Sequence, residues 1–383
     1  MNKTAIIGVG MTPVGEHWDK SLRELAYEAA SQALTDADNP QIDAIYVANA
    51  YGATFNKQSQ LGSLIADFLG FQGVESFTIE AADASGGAAI RTAHMAVASG
   101  AVRTALVIGV EKATDIVAGS RTKARTISLD ADYESPYGAT LTAMAALLMR
   151  RYMYEYNVDL SVFEGFSVNA HANGKLNPYA MYRNTLREGA FTKAPMVADP
   201  VSLFDGAPDG DGAAAVIITS ADIAQDMISE PIIISGSSAS TDKFMLQERD
   251  DLMWLSAVEQ SVMKALSQAK LNHSDIDLFE VHDAYTILSS LSLEASGFAK
   301  KGEGWKLAQA GEISKNGKLP ISTFGGLKSR GNPAGASGIY QAVEAVMQLR
   351  GIANENQVSD ANTAMIQSVG GLGSTVITHI LQN

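Results

Sequence analysis

The chain has 383 residues, of which 46% are hydrophobic and 18% are charged, a balance typical of globular proteins and a length that suggests two domains. Its net charge of −14 argues against a nucleic-acid partner, because proteins that bind phosphate backbones concentrate Lys and Arg. The absence of cysteine excludes disulfides, thiolate metal sites and cysteine nucleophiles.

Membrane and metal binding are not indicated by the sequence. No apolar run approaches the roughly 18–20 residues that span a bilayer, and residues 1–7 enter a strand-like run without a secretory h-region. We therefore expect a cytoplasmic protein with no membrane partner. The six histidines form no i,i+4 pair, and Asp205, Asp209 and Asp211 lack the Glu that closes a calcium loop. We expect no metal site.

The first half of the chain alternates strand and helix patterns. A helical pattern that includes residues 31–33 precedes an apolar run at 42–47, which is suited to a buried strand. A glycine-rich loop at Asp83 then opens another helix, and a β-rich run follows at 213–218. Residues from about 116 to 200 are rich in Tyr, Met, Arg and Asn, and we expect them to form an inserted loop domain over the carboxyl ends of the first sheet.

The second half repeats this order. A strand is predicted at 231–236, a helical pattern includes 267–269, an apolar run follows at 276–281, and a final β-rich run lies at 374–380. The two glycine-rich loops share the spacing +3, +7 and +10, in Asp83, Gly86, Ile90 and Ala93 and in Asn332, Gly335, Ile339 and Ala342. The repeat predicts an α/β fold with a mostly parallel sheet in each half, and a boundary between 1–228 and 229–383.

Six short blocks carry a resemblance to a known family. They are EAADASGGAA at 80–89, VIGVEK at 107–112, NAHANG at 169–174, VHDAY at 281–285, GGLKSRGNP at 325–333 and VGG at 369–371. In this order they resemble the thiolase superfamily, in its branch of archaeal acetyl-CoA acetyltransferases and sterol-carrier-protein thiolases.

The resemblance carries expectations about fold, ligand and assembly. It implies two duplicated βαβαβαββ halves in a layered α-β-α-β-α core, with coenzyme A or acyl-CoA as a ligand and no permanently bound cofactor. It also implies a homodimer or a dimer of dimers. Relatives in the archaeal branch associate with a hydroxymethylglutaryl-CoA synthase and an OB-fold bridging protein, which makes both expected partners.

This chain departs from the family pattern at three reactive positions. The resemblance places the nucleophilic Cys at position 83, a second Cys at 284 and a His at 332, where this chain has Asp83, Ala284 and Asn332. Thiolases need these groups to form an acyl-enzyme, to move a proton and to hold oxyanions. We therefore predict that cysteine-dependent thiolase turnover is absent.

Two roles stay open for Asp83. The first role is a helix cap, because Asp83 lies at the predicted start of a buried helix, where the helix dipole stabilises a negative side chain by about 0.3–1 kcal/mol. The alternative is a general base, a role that carboxyl groups fill when burial raises their pKa.

Other groups in the matched motifs can still bind a thioester oxygen. Asn332 can donate through its amide, and the resemblance implies that His282 helps to bind the thioester oxygen. The backbone N–H groups near Asp83, Gly370 and Gly371 would form a second oxyanion pocket.

Tyr285 and two basic residues complete the candidate site. Tyr285 either packs or takes part in proton transfer, since some members of the superfamily that lack the cysteine act as aldolases. Lys328 and Arg330, next to Gly331, are candidates to bind the phosphates of coenzyme A.

Three functions therefore stay open. The favoured hypothesis is a protein that binds acyl-CoA thioesters without cysteine chemistry and serves as a non-catalytic subunit of an acyl-CoA-processing complex. The second is an enzyme, either a C–C lyase of the retro-aldolase type or a weak acyltransferase that uses Asp83, Tyr285 or His282. The third is a scaffold that no longer binds coenzyme A.

Overall fold

The computed structural model describes residues 3–187 and 189–383, whose strands and helices follow one another as the two-part repeat predicts. The strands of the first part are β1 (Thr4–Met11), β2 (Ala44–Ala48), β3 (Glu75–Ile79), β4 (Thr104–Glu111), β5 (Met196–Ala198), β6 (Val201–Ser202) and β7 (Gly212–Ser220). Its helices are α1 (Leu22–Asp36), α2 (Gly52–Phe55), α3 (Leu61–Phe68), α4 (Ser85–Ser99), α5 (Ala118–Arg125), α6 (Leu141–Tyr156), α7 (Glu164–Leu176), α8 (Ala190–Lys193) and α9 (Ala221–Met227).

The second part has fewer elements. Its strands are β8 (Ile232–Thr241), β9 (Leu278–Glu280), β10 (Thr363–Gly370) and β11 (Thr375–Gln382). Its helices are α10 (Ser256–Ala269), α11 (Thr286–Ala295), α12 (Gly304–Gln309) and α13 (Ser337–Leu349). A single π-helical turn spans Gly326–Arg330, and a 3₁₀ turn spans Ala334–Ala336 ahead of α13.

Helix α1 shows how local sequence fixes an element. The Ser21 hydroxyl accepts a hydrogen bond from the Glu24 N–H, and the Glu24 carboxylate accepts one from the Ser21 N–H at 2.7 Å. This capping box satisfies two backbone donors at the helix start, which stabilises such a helix by about 1 kcal/mol. Leu22, Leu25 and Ala29 recur at helical spacing and lie buried against the sheet.

One continuous nine-stranded sheet runs through both halves, in the order β3-β2-β4-β7-β1-β8-β11-β10-β9. The prediction of a mostly parallel sheet in each half is wrong. Among the described strands, β2 with β3, β2 with β4, and β9 with β10 are parallel, whereas the five other neighbouring pairs are antiparallel. The reason is that β7 returns after the insertion and β11 returns by a hairpin from β10, so both run against their neighbours.

Helices α4 and α13 pack between the two halves of the sheet, and they form the central helical layer of the predicted α-β-α-β-α arrangement. A Cβ built on Gly86 would lie 2.8 Å from the Cα of Gly338, so this close approach of the two helices requires glycine. Helices α1 and α3 cover the outer face of the first half, and α10 covers that of the second. The thiolase-type α-β-α-β-α fold is confirmed. In the second half the third strand is reduced to a single parallel bridge between Phe279 and Ile321.

The insertion predicted at about 116–200 contains α5 to α8 and β5, and β6, which pairs with β5, follows it directly. Helices α6 and α7 share a hydrophobic core with α11 of the second half. The predicted boundary at 228/229 falls in the connection between α9 and β8. Among the helices of the described ranges, none has the length and apolar character that a membrane crossing needs.

Candidate functional site

The loop that carries Asp83 is held in an unusual backbone conformation. Ala82 has φ of 50°, in the left-handed region that a residue with a Cβ adopts at a cost of about 1–2 kcal/mol. Ser85 supports this turn, because its hydroxyl accepts from the N–H of Ala81 at 2.9 Å and donates to the carbonyl of Ala82 at 2.5 Å. Ser85 therefore braces the backbone beside Asp83.

Asp83 does not cap helix α4, so the capping interpretation is wrong. The N-cap residue is Ala84, and no side chain caps this helix. The Asp83 side chain turns instead toward a tyrosine, since its Oδ1 accepts from the Tyr51 hydroxyl at 3.0 Å. Its Oδ2 lies 3.5 Å from Asn332 Nδ2 and 3.5 Å from Arg125 Nη1. Asp83 as a whole is 6% exposed.

Tyr51, Arg125 and Asp209 also lie at this site, although no sequence pattern had pointed to a role for them here. The Arg125 guanidinium lies 5.2 Å from the centre of the Tyr51 ring and pairs with Asp209 over 2.9 Å. Burial alone would lower the pKa of Arg125, but the adjacent Asp209 and Asp83 outweigh it and raise the pKa above its ordinary value. Burial and the neighbouring Asp83 also raise the pKa of Tyr51, so its hydroxyl stays protonated and donates.

His282 lies at the same cavity and is 1% exposed. Burial lowers the pKa of His282 to about 4, an effect that Asp83 opposes and that Arg330 and Arg125 reinforce. At neutral pH the imidazole is therefore uncharged. It can present one N–H to a ligand oxygen, but it cannot act as an imidazolium acid.

Asn332 faces Asp83 from the second half. Its Oδ1 accepts from the Ser337 hydroxyl at 2.8 Å at the start of α13, which leaves the Nδ2 amide group as the donor toward the cavity. Its backbone N–H donates to the carbonyl of Pro208 at 2.9 Å. Ala284 lines the cavity with a methyl group and contributes no polar side chain.

These residues enclose a small cavity of about 110 Å³. A second, larger cavity of about 440 Å³ shares Thr142, Ala207 and Tyr285 with it. The Tyr285 and Thr142 hydroxyls are 2.9 Å apart at this shared wall. Burial raises the pKa of Tyr285 to about 12, so it is a proton donor and a poor base at neutral pH.

The end of strand β10 completes the small cavity. A Cβ on Gly370 would lie 2.6 Å from the carbonyl oxygen of Ala81, so only glycine allows the strand to approach the Asp83 loop this closely. Gly371 has φ of 58° and lines the cavity. An oxyanion-binding role for these backbone N–H groups stays a prediction.

The two basic residues of the π-helical turn occupy different places. Lys328 is 2% exposed, donates to the carbonyl of Asp205 and lines the larger cavity. Arg330 is fully buried, pairs with Glu344 over 2.7 Å and lines neither cavity. This placement argues against a contact between Arg330 and the phosphates of coenzyme A. Gly331, with φ of 108°, packs beside Val14.

The three aspartates of the glycine-rich segment do not converge. Asp205 accepts from Thr286, Asp209 pairs with Arg121 and Arg125, and Asp211 accepts from the N–H groups of residues 113 and 114. Within residues 3–187 and 189–383, no group of His, Asp and Glu side chains is arranged to hold a metal ion.

Comparison with known proteins identifies the family. The thiolase N-terminal domain model matches residues 4–186, and the thiolase C-terminal domain-like model matches residues 238–383. An acetyl-CoA acetyltransferase of Methanothermobacter thermautotrophicus is 40% identical over 382 residues and covers 99% of both chains. The chain belongs to the thiolase family.

Two further comparisons extend this result. An acetyl-CoA acetyltransferase of Methanocaldococcus jannaschii is 36% identical to this thiolase-family chain over 395 residues, which is 100% of both. The solved structure of an Ltp2-ChsH2(DUF35) aldolase superposes with a TM-score of 0.86, over 99% of this chain and 97% of that chain. At 24% identity it shows the shared fold.

Proposed function

We propose that this thiolase-family chain binds an acyl-CoA thioester and polarises its carbonyl without forming a cysteine acyl-enzyme. The observation that carries the proposal is the convergence of His282, Asn332 and Asp83 on one cavity that borders a larger apolar cavity. The two relatives that are 40% and 36% identical are acetyl-CoA acetyltransferases, which supports a CoA thioester as the ligand.

The polar groups suit a developing oxyanion. A neutral His282 and the Asn332 amide both offer N–H donors, and fixed donors in a dry cavity stabilise negative charge more strongly than water does. Asp83 does not replace the nucleophile, because a mixed anhydride lies far uphill of a thioester. The thioester is therefore bound and activated but is not transferred to the protein.

The larger cavity suits one arm of such a ligand. Its volume of about 440 Å³ falls in the range of about 300–1,000 Å³ that is typical of small-molecule sites. Val201, Leu203, Phe204 and Pro208 give it an apolar lining, and Lys328 supplies a basic group at its wall. This lining fits an extended aliphatic arm better than a free polar metabolite.

Titration calorimetry with acetyl-CoA and with free CoA tests the proposal. We expect a micromolar dissociation constant for acetyl-CoA, equivalent to about −8 kcal/mol. Asn332→Ala should weaken acetyl-CoA binding and leave free CoA binding unchanged, because free CoA has no thioester carbonyl. No heat with either ligand at two temperatures would support the scaffold hypothesis instead.

A second candidate function is C–C bond cleavage of an acyl-CoA thioester. It is favoured by the position of Asp83, which shares a cavity with His282 and Tyr285, and by the fold shared with an aldolase. Asp83 would accept the hydroxyl proton as the C–C bond breaks. His282 and Asn332 would hold the enolate, and Tyr285 would donate a proton to its carbon.

Two conservative variants test this candidate. Asp83→Asn and Tyr285→Phe each keep the side-chain shape and remove one proton-transfer group. We expect each variant to lower C–C cleavage by about 100-fold or more. Unchanged cleavage in both variants would reject the lyase mechanism. A weak acyltransferase is less well supported, because Asp83 stands where the family resemblance places the nucleophilic cysteine, and a mixed anhydride on a carboxylate is a poor store for an acyl group.

We also propose a homodimer that forms through the sheet edge at β3. Among the described residues this strand pairs with β2 alone, and Phe77 on it is 55% exposed. Unpaired edges with apolar side chains readily pair with a second chain. Light scattering should give a dimer mass for the natural chain and a monomer mass for Phe77→Glu.

Heteromeric assembly is proposed by analogy. The aldolase with the shared fold is a complex of Ltp2 with ChsH2(DUF35), and the family resemblance implies a synthase and an OB-fold bridging protein as partners. Mixing the purified chain with such a bridging protein, followed by size-exclusion chromatography, tests for a joint peak.

A further inference from the structure

The two oxygens of Asp83 are engaged to different extents. Oδ1 accepts the Tyr51 hydroxyl at 3.0 Å, a normal hydrogen bond. Oδ2 has two neighbours, Asn332 Nδ2 and Arg125 Nη1, and both lie at 3.5 Å, at the outer limit of a hydrogen bond. A carboxylate offers about four acceptor positions, so Oδ2 retains the capacity to accept from a ligand.

The residues around Asp83 form a frame that fixes its orientation. Arg125 is held by Asp209 at 2.9 Å, and Arg121 pairs with the other oxygen of Asp209 at 3.3 Å. Arg125 also covers the ring of Tyr51. These contacts hold the Asp83 carboxylate between Tyr51 and Arg125.

The Tyr51 side of the frame is equally restrained. Its backbone N–H donates to the buried carboxylate of Glu111 at 3.1 Å, and its ring packs on Phe55 with 5.3 Å between the ring centres. Glu111 also accepts from the N–H groups of Ala50 and Gly335, which joins this loop to the one that carries Asn332. Tyr51 and Arg125 are therefore positioning residues for Asp83.

We infer that Asp83, fixed by Tyr51 and Arg125, selects acyl groups that carry a hydroxyl near the thioester over keto groups of the same carbon skeleton. The inference rests on the proposed binding of the thioester carbonyl at His282 and Asn332. A hydroxyl group of the ligand can donate a hydrogen bond to Oδ2. A ketone oxygen can only accept, so it would face the carboxylate oxygen without a hydrogen bond between them.

Two donor-bearing side chains beside Asp83 already have protein neighbours. The Arg125 guanidinium lies between Asp83 and Asp209, and the Tyr285 hydroxyl is 2.9 Å from that of Thr142. The small cavity of about 110 Å³ also confines the group that meets Asp83 to the first few atoms beyond the thioester carbonyl. The selected class is therefore hydroxyacyl-CoA esters whose hydroxyl lies within the first few atoms beyond the thioester carbonyl.

Calorimetric titration with four CoA esters tests this selectivity apart from catalysis. The probes are the two enantiomers of 3-hydroxybutyryl-CoA, acetoacetyl-CoA and butyryl-CoA, with chromatography confirming that each ester is intact. We expect one hydroxy enantiomer to bind about tenfold more tightly than acetoacetyl-CoA. Asp83→Asn, which can donate as well as accept, should bring the two affinities within about threefold.

Two tyrosine variants distinguish the orienting role of Tyr51 from a general effect of removing a tyrosine hydroxyl. Tyr51→Phe should reduce the hydroxy preference without abolishing it, because the acceptor remains but loses its orientation. Tyr46→Phe is the matched control, since it removes a tyrosine bond to the Glu75 carboxylate away from the cavity and should leave the preference unchanged.

The outcomes are distinguishable. If butyryl-CoA binds but hydroxy and keto esters bind equally, acyl-CoA binding stands and the selectivity is overturned. The same holds if Asp83→Asn keeps the full hydroxy preference. If none of the four esters binds, both proposals fall.

Discussion

The Tyr51 hydroxyl donates to Oδ1 of Asp83 over 3.0 Å, between residues that are 32 positions apart in the sequence. Tyr51 is 1% exposed and Asp83 is 6% exposed, so water does not compete strongly for either group. The position at which the family resemblance places a reactive sulfur thus holds a carboxylate whose hydrogen-bond partner is also buried.

Replacing Tyr51 by Phe should lower the free energy of unfolding by about 2 kcal/mol. The reason is that a hydrogen bond to a buried charged group contributes about 1.5–3 kcal/mol. Urea unfolding at pH 7 measures the change. Tyr46→Phe is the control, because its acceptor Glu75 is exposed and the loss there should stay below about 1 kcal/mol. Equal losses of unfolding free energy in the two variants would contradict a larger contribution from the buried Tyr51–Asp83 hydrogen bond.

Introducing a thiol at the Asp83 position should restore acylation. In Asp83→Cys the guanidinium of Arg125 would favour the thiolate, which is the nucleophilic form. Intact-mass spectrometry after incubation with acetyl-CoA should show one added acetyl group, and Asp83→Ser should remain unmodified. An acetylated natural chain would contradict the absence of an acyl-enzyme. No adduct on the Cys variant would contradict this prediction.

Breaking the ion pair between Arg330 and Glu344 should strongly destabilise the protein. Both side chains are fully buried at 2.7 Å, and Arg330→Met leaves Glu344 without its partner. We expect a loss of about 3–5 kcal/mol in the free energy of unfolding. Arg330→Leu combined with Glu344→Leu should recover most of it and keep the affinity for CoA. A double variant that folds but loses CoA binding would show that Arg330 contacts the ligand.

His282 should make stability depend on pH below neutrality. Burial lowers its pKa to about 4 from an ordinary 6.5, so between these values the unfolded chain binds a proton that the folded chain does not. Stability attributable to His282 therefore falls as the pH drops from about 6.5 to about 4, by about 3 kcal/mol in total. Unfolding free energies of His282→Asn should fall less steeply across this interval. Parallel curves for the two proteins would contradict a neutral His282.

Much of the fold could be predicted because apolar runs and glycine-rich loops report local structure directly. The run at 213–218 lies within β7, and the loops at Asp83 and Asn332 precede α4 and α13. Strand direction was predicted wrongly, because an apolar run specifies a buried strand but not the course of the chain that brings it back to the sheet.

The surroundings of Asp83 could not be predicted in the same way. Tyr51 lies just ahead of a short helix, and Arg125 lies among other basic residues in the insertion, so neither has a local pattern that points to the site. Their meeting depends on how two loops and the insertion pack. Arg330 shows the reverse case, since a basic residue in a matched motif proved to be buried in an ion pair.

We expect an acyl-CoA thioester to bind beside Asp83 and to stay joined to coenzyme A. A crystal structure of the protein with acetyl-CoA is the measurement that decides this. The thioester oxygen should lie within about 3.2 Å of a His282 or Asn332 nitrogen, with an intact carbon–sulfur bond and no bond to Asp83. A cavity that stays empty in crystals grown at saturating acetyl-CoA, or an acetyl group joined to the protein, would rule out this mode of binding.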